Sequence, residues 1–286
     1  MSAPISIQPF ISQALGMGYN TAAGVFINWS TTATYGSVPA QLLYTPAKTL
    51  AVLLMYTPPQ NTARGWCGGP VGAIFDIPWL LGNSGGFAGA SFRIEVWGTP
   101  NGPIYPGYDE SYTAAPNACG ITVPFNQWVW VFSMWDGTYY WVGVATNTGG
   151  QWVEQICNTY QTGYCNKGIQ PINAQQGYNF LGLYYAQPRG HGYYAAAVAY
   201  ATALNTAARM ALWNSITPNG LNPPVLGTYG PIIWYDWTSL TSGCPTGSAC
   251  SAFWMDKSGY GNHGYATNAV IVSFALPQGQ VAYPVG

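Results

Sequence analysis

The stretch WVWVFSMWDGTYYWVGV, residues 128–144, decides the fold. Its two runs of aromatic and β-branched residues suit a pleated, half-buried surface. Between them Asp136-Gly137 tolerates the positive φ angles of a tight turn, so the stretch predicts an antiparallel hairpin with Asp136 and Gly137 at its tip. Further runs of the same kind lie between Gly, Pro and Asn punctuation at Gly24 to Trp29, Thr49 to Tyr56, Phe92 to Trp97 and Asn179 to Tyr185. Short strands at this spacing predict an all-β protein, an antiparallel sandwich of two sheets.

One helix is expected. Asn205 is placed to cap the free backbone donors of Thr206 to Trp213, a stretch rich in helix formers. Beyond it, residues 217–230 (TPNGLNPPVLGTYG) are dense in Pro, Gly and Asn. They read as a linker and divide the chain into a first unit, 1–219, and a C-terminal extension, 220–286.

Only 5% of the 286 residues are charged, with 7 basic and 8 acidic side chains. Nothing in that balance can neutralise a phosphate backbone or an anionic bilayer, so nucleic acid is not an expected partner. Solubility must come from hydroxyl and amide groups, whose charge state does not change as pH falls. That suits a hot or acidic setting. The longest apolar run, Ala195 to Trp213, is interrupted by Asn205, Thr206 and Arg209, so no membrane span is expected.

Six cysteines, Cys67, Cys119, Cys157, Cys165, Cys244 and Cys250, stand without a CxxC pair and beside only two histidines. They suit disulfides rather than zinc and point to an extracellular or virion surface. Of fifteen pairings, the short gaps favour local staples at Cys157 with Cys165 and Cys244 with Cys250, which leaves Cys67 with Cys119. The amino terminus, MSAPISIQPFISQALG, carries neither a basic leader nor a long apolar core, so a secretory signal is not expected.

The order of elements resembles the concanavalin A-like, laminin-G-like sandwich family. The resemblance rests on Leu50 to Tyr56, on FRIEVWG (92–98), on the 128–144 hairpin, on YNFLGLYY (178–185) and on GYYAAAVAYATALNTAARMALW (192–213), and spans roughly residues 20 to 215. It implies a jelly-roll sandwich. A second echo, MDKSGYGNHGYATNAVI (255–271), is similar to a D-x-S-G-x-G-N-H-G signature that such domains carry near their beginning. Here it stands near the end. The extension therefore either completes the same sandwich or adds strands to a neighbouring subunit.

Sandwiches of this class include glycoside hydrolases, which need two carboxylates facing across a cleft. Glu95 is isolated, and Asp109-Glu110 sits in a Gly/Pro-rich stretch. No E-x-D-x-E arrangement occurs, so catalysis is not expected. Carbohydrate binding asks for aromatic faces beside hydrogen-bonding groups. Trp66, Trp79, Tyr105 and Tyr108 with Asp109 occupy turn-rich stretches and are candidate stacking platforms, although core packing is the commoner fate of an aromatic side chain.

Asp256, Ser258, Gly259, Asn262 and His263 form the most motif-like cluster. Asp256 and Asn262 carry oxygens of the kind calcium takes. The plainer reading prevails: Asp256 and Asn262 are turn formers, Gly259, Gly261 and Gly264 permit left-handed backbone, and His263 anchors the loop. No cofactor is expected. Together these features predict a non-catalytic structural or adhesive protein of an extracellular assembly, whose partners are copies of itself, other structural subunits and glycans. The alternatives are a secreted lectin module and a glycoside hydrolase.

Overall fold

The computed structural model describes residues 10–17, 24–27, 47–56, 72–79, 90–98, 104–107, 121–136, 139–159, 183–184, 187–188, 192–226, 230–246, 248 and 250–274. In chain order they form β1 (Gln13–Met17), β2 (Gly24–Ile27), β3 (Lys48–Tyr56), β4 (Gly72–Trp79), β5 (Ala90–Gly98) and β6 (Ile104–Gly107). Next come β7 (Trp128–Trp135), β8 (Tyr140–Thr148), β9 (Gln151–Thr159), β10 (Leu183–Tyr184), β11 (Gln187–Pro188) and β12 (Gly192–Tyr200). Helix α1 (Thr206–Trp213) leads to β13 (Ile216–Thr217), β14 (Gly220–Leu221), β15 (Ile233–Asp236) and a 3-10 turn, Trp237–Ser239. The last strands are β16 (Leu240–Thr241), β17 (Ala252–Trp254), β18 (Gly264–Thr267) and β19 (Val270–Ser273).

The protein is all-β, and the pairing between its named strands is antiparallel. The principal sheet has eight strands in the order β19-β1-β12-β3-β7-β8-β9, with β15 also paired to β12. A four-stranded sheet, β16-β17-β18-β2, packs on one of its faces. Alternation along each strand sorts the side chains. Leu50, Val52 and Leu54 of β3 and Val129 and Val131 of β7 face Val25, Ile27, Trp254 and Ala266 of the smaller sheet. Their neighbours Ala51, Leu53, Trp130 and Phe132 point the other way, where α1 covers them with Ala208, Leu212 and Trp213. The rings of Trp130 and Phe132 both lie against Trp213, at 5.2 and 5.1 Å. Burying side chains of this size stabilises by about 1.5–3 kcal/mol each.

Strands from both ends of the chain interleave. β1 and β15 follow one another along the same edge of β12, through Leu15↔Tyr194 and Ala196↔Asp236, on either side of the irregularity between Tyr194 and Ala196. β19 pairs with β1, and β18 with β2. The side-chain amide of Gln13 donates to Trp237 O at 2.6 Å and to Leu240 O at 2.9 Å. The 217–230 stretch, read as a linker, is in part packed structure: Leu221 is buried and its amide bonds Asp236.

The helix is capped as expected, with Asn205 Oδ1 accepting from Ala208 N. The 128–144 hairpin forms with a wider turn than Asp-Gly alone would give. Trp135 pairs with Tyr140, so four residues connect the strands. Asp136 accounts for the difference, because its carboxylate accepts from Tyr139 N at 2.6 Å and from Trp141 Nε1 at 2.7 Å and draws two more residues into the loop. A shift of two residues leaves every side chain on its intended face. Cys244 and Cys250 are bonded as expected, and Cys157 is also in a disulfide, with a partner outside the described residues. Cys67, Cys119 and Cys165 lie outside them.

Candidate functional site

The loop from Met255 to His263 is built around one carboxylate. Asp256 Oδ1 accepts from Trp234 N at 2.9 Å and from Ser258 N at 3.0 Å. Its Oδ2 accepts from Asn262 N at 2.9 Å and from the Ser258 hydroxyl at 2.7 Å. Four donors thus converge on a side chain that is 6% exposed. The loop is tied to the strand beneath it by Asn262 Nδ2, which donates to Ile232 O at 2.8 Å, and by the hydroxyl of Tyr235, which donates to Asn262 O. Burial pushes the Tyr235 phenol well above its ordinary pKa, and the nearby Asp256 charge adds to the effect, so this donor keeps its proton.

His263 anchors the loop through its ring, with Nδ1 accepting from Asp256 N at 3.1 Å. Gly259 and Gly261 take positive φ. Gly264 does not, contrary to expectation; it stands where a Cβ would lie 2.8 Å from Val25 Cγ1, so its role is close approach between β18 and β2. The calcium-binding reading of Asp256 and Asn262 finds Asp256 Oδ1 and Oδ2 occupied by N–H and O–H donors. Among the described residues no group of three or more His, Cys, Asp or Glu side chains is arranged to hold a metal.

A second carboxylate adjoins the first. Asp236, fully buried, accepts on Oδ1 from Thr238 N and Thr238 Oγ1, and on Oδ2 from Leu221 N, Trp234 Nε1 and Lys257 Nζ, the last at 2.8 Å. The Lys257 ammonium also lies 4.8 Å from the centre of the Trp234 ring. Asp236 is absent from the candidates that the sequence offers. Its position three residues before Ser239, in Asp-Trp-Thr-Ser, was the available signal, since the two make a reciprocal cap on the 3-10 turn.

On the helix side, Glu154 of β9 meets Arg209 of α1 in a two-point contact, at 2.7 and 3.0 Å, and also accepts from Trp213 Nε1 at 3.2 Å. Arg209 Nη1 donates to Leu204 O at 2.7 Å. Neither residue was singled out from sequence.

The aromatic candidates are placed as follows. Trp79 ends β4 and Tyr105 lies in β6, so both belong to strands rather than turns. Through the shared strand β5, Trp79 is opposite Ala90 and Tyr105 opposite Trp97. Seven residues of strand separate those positions, roughly 23 Å. Glu95 lies in β5. Trp66, Tyr108, Asp109 and Glu110 fall outside the described residues.

No protein-family model matches the chain, and no curated protein matches it. Among solved structures, the full-length tailspike protein 2 (TSP2, ORF211) from Escherichia coli O157:H7 bacteriophage CAB120 aligns at 15% identity and a TM-score of 0.46, over 78% of this chain and 30% of that one. The enzymatically active domain of tailspike protein 2 from bacteriophage CBA120 aligns at 14% identity and a TM-score of 0.40, over 70% of this chain and 32% of that one. The chain thus spans about a third of the length of either structure. Neither likeness is close enough to carry a role across.

Proposed function

We propose that the chain is a non-catalytic structural and adhesive component of an extracellular assembly, a virion or a surface filament, built on a concanavalin-like jelly roll and able to contact glycans. The observation that supports the reading is how the buried carboxylates among the described residues are used. Glu154, Asp236 and Asp256 each face several internal donors, so each holds one element of the fold to another. A hydrolytic pair would instead face a cleft, with one member free to give or take a proton. The low charge and the Cys244–Cys250 staple agree with an exposed, oxidising setting.

The test is the mass of the full chain in solution, by analytical ultracentrifugation across concentrations and without added sugar, alongside a screen for polysaccharide cleavage. Large regular species without cleavage support the reading. A monomer that is retained on immobilised glycans would make it a lectin module instead. Cleavage that disappears in Glu95→Gln or Glu110→Gln would make it a glycoside hydrolase.

A further inference from the structure

Alternation along β17 and β18 turns Ala252, Trp254 and Ala266 into the core and leaves Phe253 and Tyr265 on the outer face of the small sheet. Phe253 and Tyr265 are direct cross-strand partners, and their rings meet edge to face at 5.3 Å. The His263 ring lies 5.3 Å from Phe253 on its other side. All three side chains are partly exposed, and Tyr260, in the adjoining loop, is 51% exposed.

The polar atoms of this cluster are specified by what lies beneath. Because His263 Nδ1 accepts the Asp256 amide hydrogen, the proton of the neutral ring sits on Nε2, which is left as a donor. Among the described residues neither His263 Nε2 nor the Tyr265 hydroxyl has a hydrogen-bond partner, whereas Trp234, Ser258 and Asn262 all donate to the Asp256 carboxylate below. A ring flanked by a fixed donor and a hydroxyl, with no formal charge among the three, is thus presented at the surface.

We infer that Phe253, His263 and Tyr265 form a binding platform for a neutral saccharide. A pyranose carries both surfaces the cluster offers: a face of C–H groups to lie on the Phe253 ring, and hydroxyls to pair with His263 Nε2 and the Tyr265 oxygen. An apolar peptide segment would cover the same ring but strand both polar groups, each at the cost of a lost hydrogen bond. An anionic ligand finds no opposing charge among the three side chains. The inference rests on the adhesive part of the proposed function and names the site through which it acts.

The experiment is affinity electrophoresis of the full chain through gels containing a soluble β-glucan, a mannan or a galactan, with heparin as the anionic control. Retardation by at least one neutral polysaccharide and not by heparin is expected. Phe253→Leu, which keeps an apolar side chain but no ring, should weaken that binding roughly tenfold. Tyr265→Phe should weaken it roughly threefold or more, with the thermal melt of both variants close to that of the parent. Undiminished binding by both variants would overturn this site while leaving an adhesive protein. Failure of the parent to bind any of the three would overturn the platform, and the sedimentation of the same sample would then show whether the assembly reading survives. Retardation by heparin alone would overturn the neutral-ligand assignment.

Discussion

Arg209 and Glu154 meet as a fork on a fork, Nε to Oε1 at 2.7 Å and Nη2 to Oε2 at 3.0 Å, with side chains only 7% and 9% exposed. The contact pins α1 to β9, the last strand of the principal sheet in the described pairing. Removing one member leaves the other charged, buried and short of partners. Arg209→Met or Glu154→Gln should therefore lower stability by about 3–5 kcal/mol, read from urea denaturation. The double variant Glu154→Leu/Arg209→Met should recover much of that loss, since neither charge then remains buried. A double variant as unstable as the sum of the singles would show that the two act separately.

Asp256 should matter through its hydrogen bonds and not through a metal. Asp256→Asn keeps the shape but replaces one acceptor with a donor that faces N–H or O–H groups, and should cost about 2–3 kcal/mol. The melting temperature of the parent should be unchanged by EDTA or by millimolar calcium. A rise on adding calcium would return the loop to the cation-binding class.

What could be read from the sequence was what neighbouring residues determine among themselves. β7 is dominated by aromatic and β-branched residues, and α1 begins at a capping Asn205, so both emerge with their observed bounds. β9 was missed, because QWVEQICNT alternates in neither hydrophobicity nor charge. Its inward face is Trp152, Glu154 and Ile156, and Glu154 belongs there only because Arg209, 55 positions later, meets it. The turn glycines and anchoring histidine of the Asp256 loop were legible as a motif, whereas Ile232 and Trp234, which receive the loop, lie more than twenty residues upstream. Nor does any local pattern reveal that β19 pairs with β1 across more than 250 residues.

Gly143 should not accept a side chain. A Cβ there would lie 2.3 Å from the Phe132 ring and 2.7 Å from Gln155 O, one a fully buried side chain and the other a backbone atom of the adjacent strand. Gly143→Ala should cost about 3 kcal/mol by denaturant titration. Adding Phe132→Leu should restore only part, because the Gln155 carbonyl does not move with the ring. Full restoration would locate the whole clash in Phe132.

A chain ending at Asn219 should not fold. It lacks β15, β18 and β19, which pair with β12, β2 and β1, and it lacks the fully buried Ile233, Tyr235, Trp237 and Trp254. Each of those side chains removes about 1.5–3 kcal/mol of burial, together comparable with the whole stability of a domain. Circular dichroism should show no cooperative melt. A cooperative melt near that of the full chain would show that residues 1–219 form an independent unit.

Stability should rise with pH from neutrality to about pH 10 and then fall. Lys48, at the start of β3, has no solvent exposure, and burial lowers its pKa from 10.5 to about 7. In the unfolded chain the same amine stays protonated up to its ordinary value. Between those limits the unfolded state binds the additional proton, so raising the pH favours the folded state. Below pH 7 both states carry the charge, and the cost of burying it is constant. The tyrosines act in the opposite sense. Burial raises the pKa of Tyr194, Tyr200 and Tyr235 above the ordinary value of 10, so above that pH the unfolded chain ionises first and gains the advantage. Melting temperature followed from pH 6 to pH 11 should therefore pass through a maximum near pH 10. Lys48→Met should abolish the rise between pH 7 and pH 10, stabilise the protein most at the lower end, by about 4–5 kcal/mol, and leave the alkaline fall in place. A rise of equal size in the variant would assign the pH dependence to groups other than Lys48.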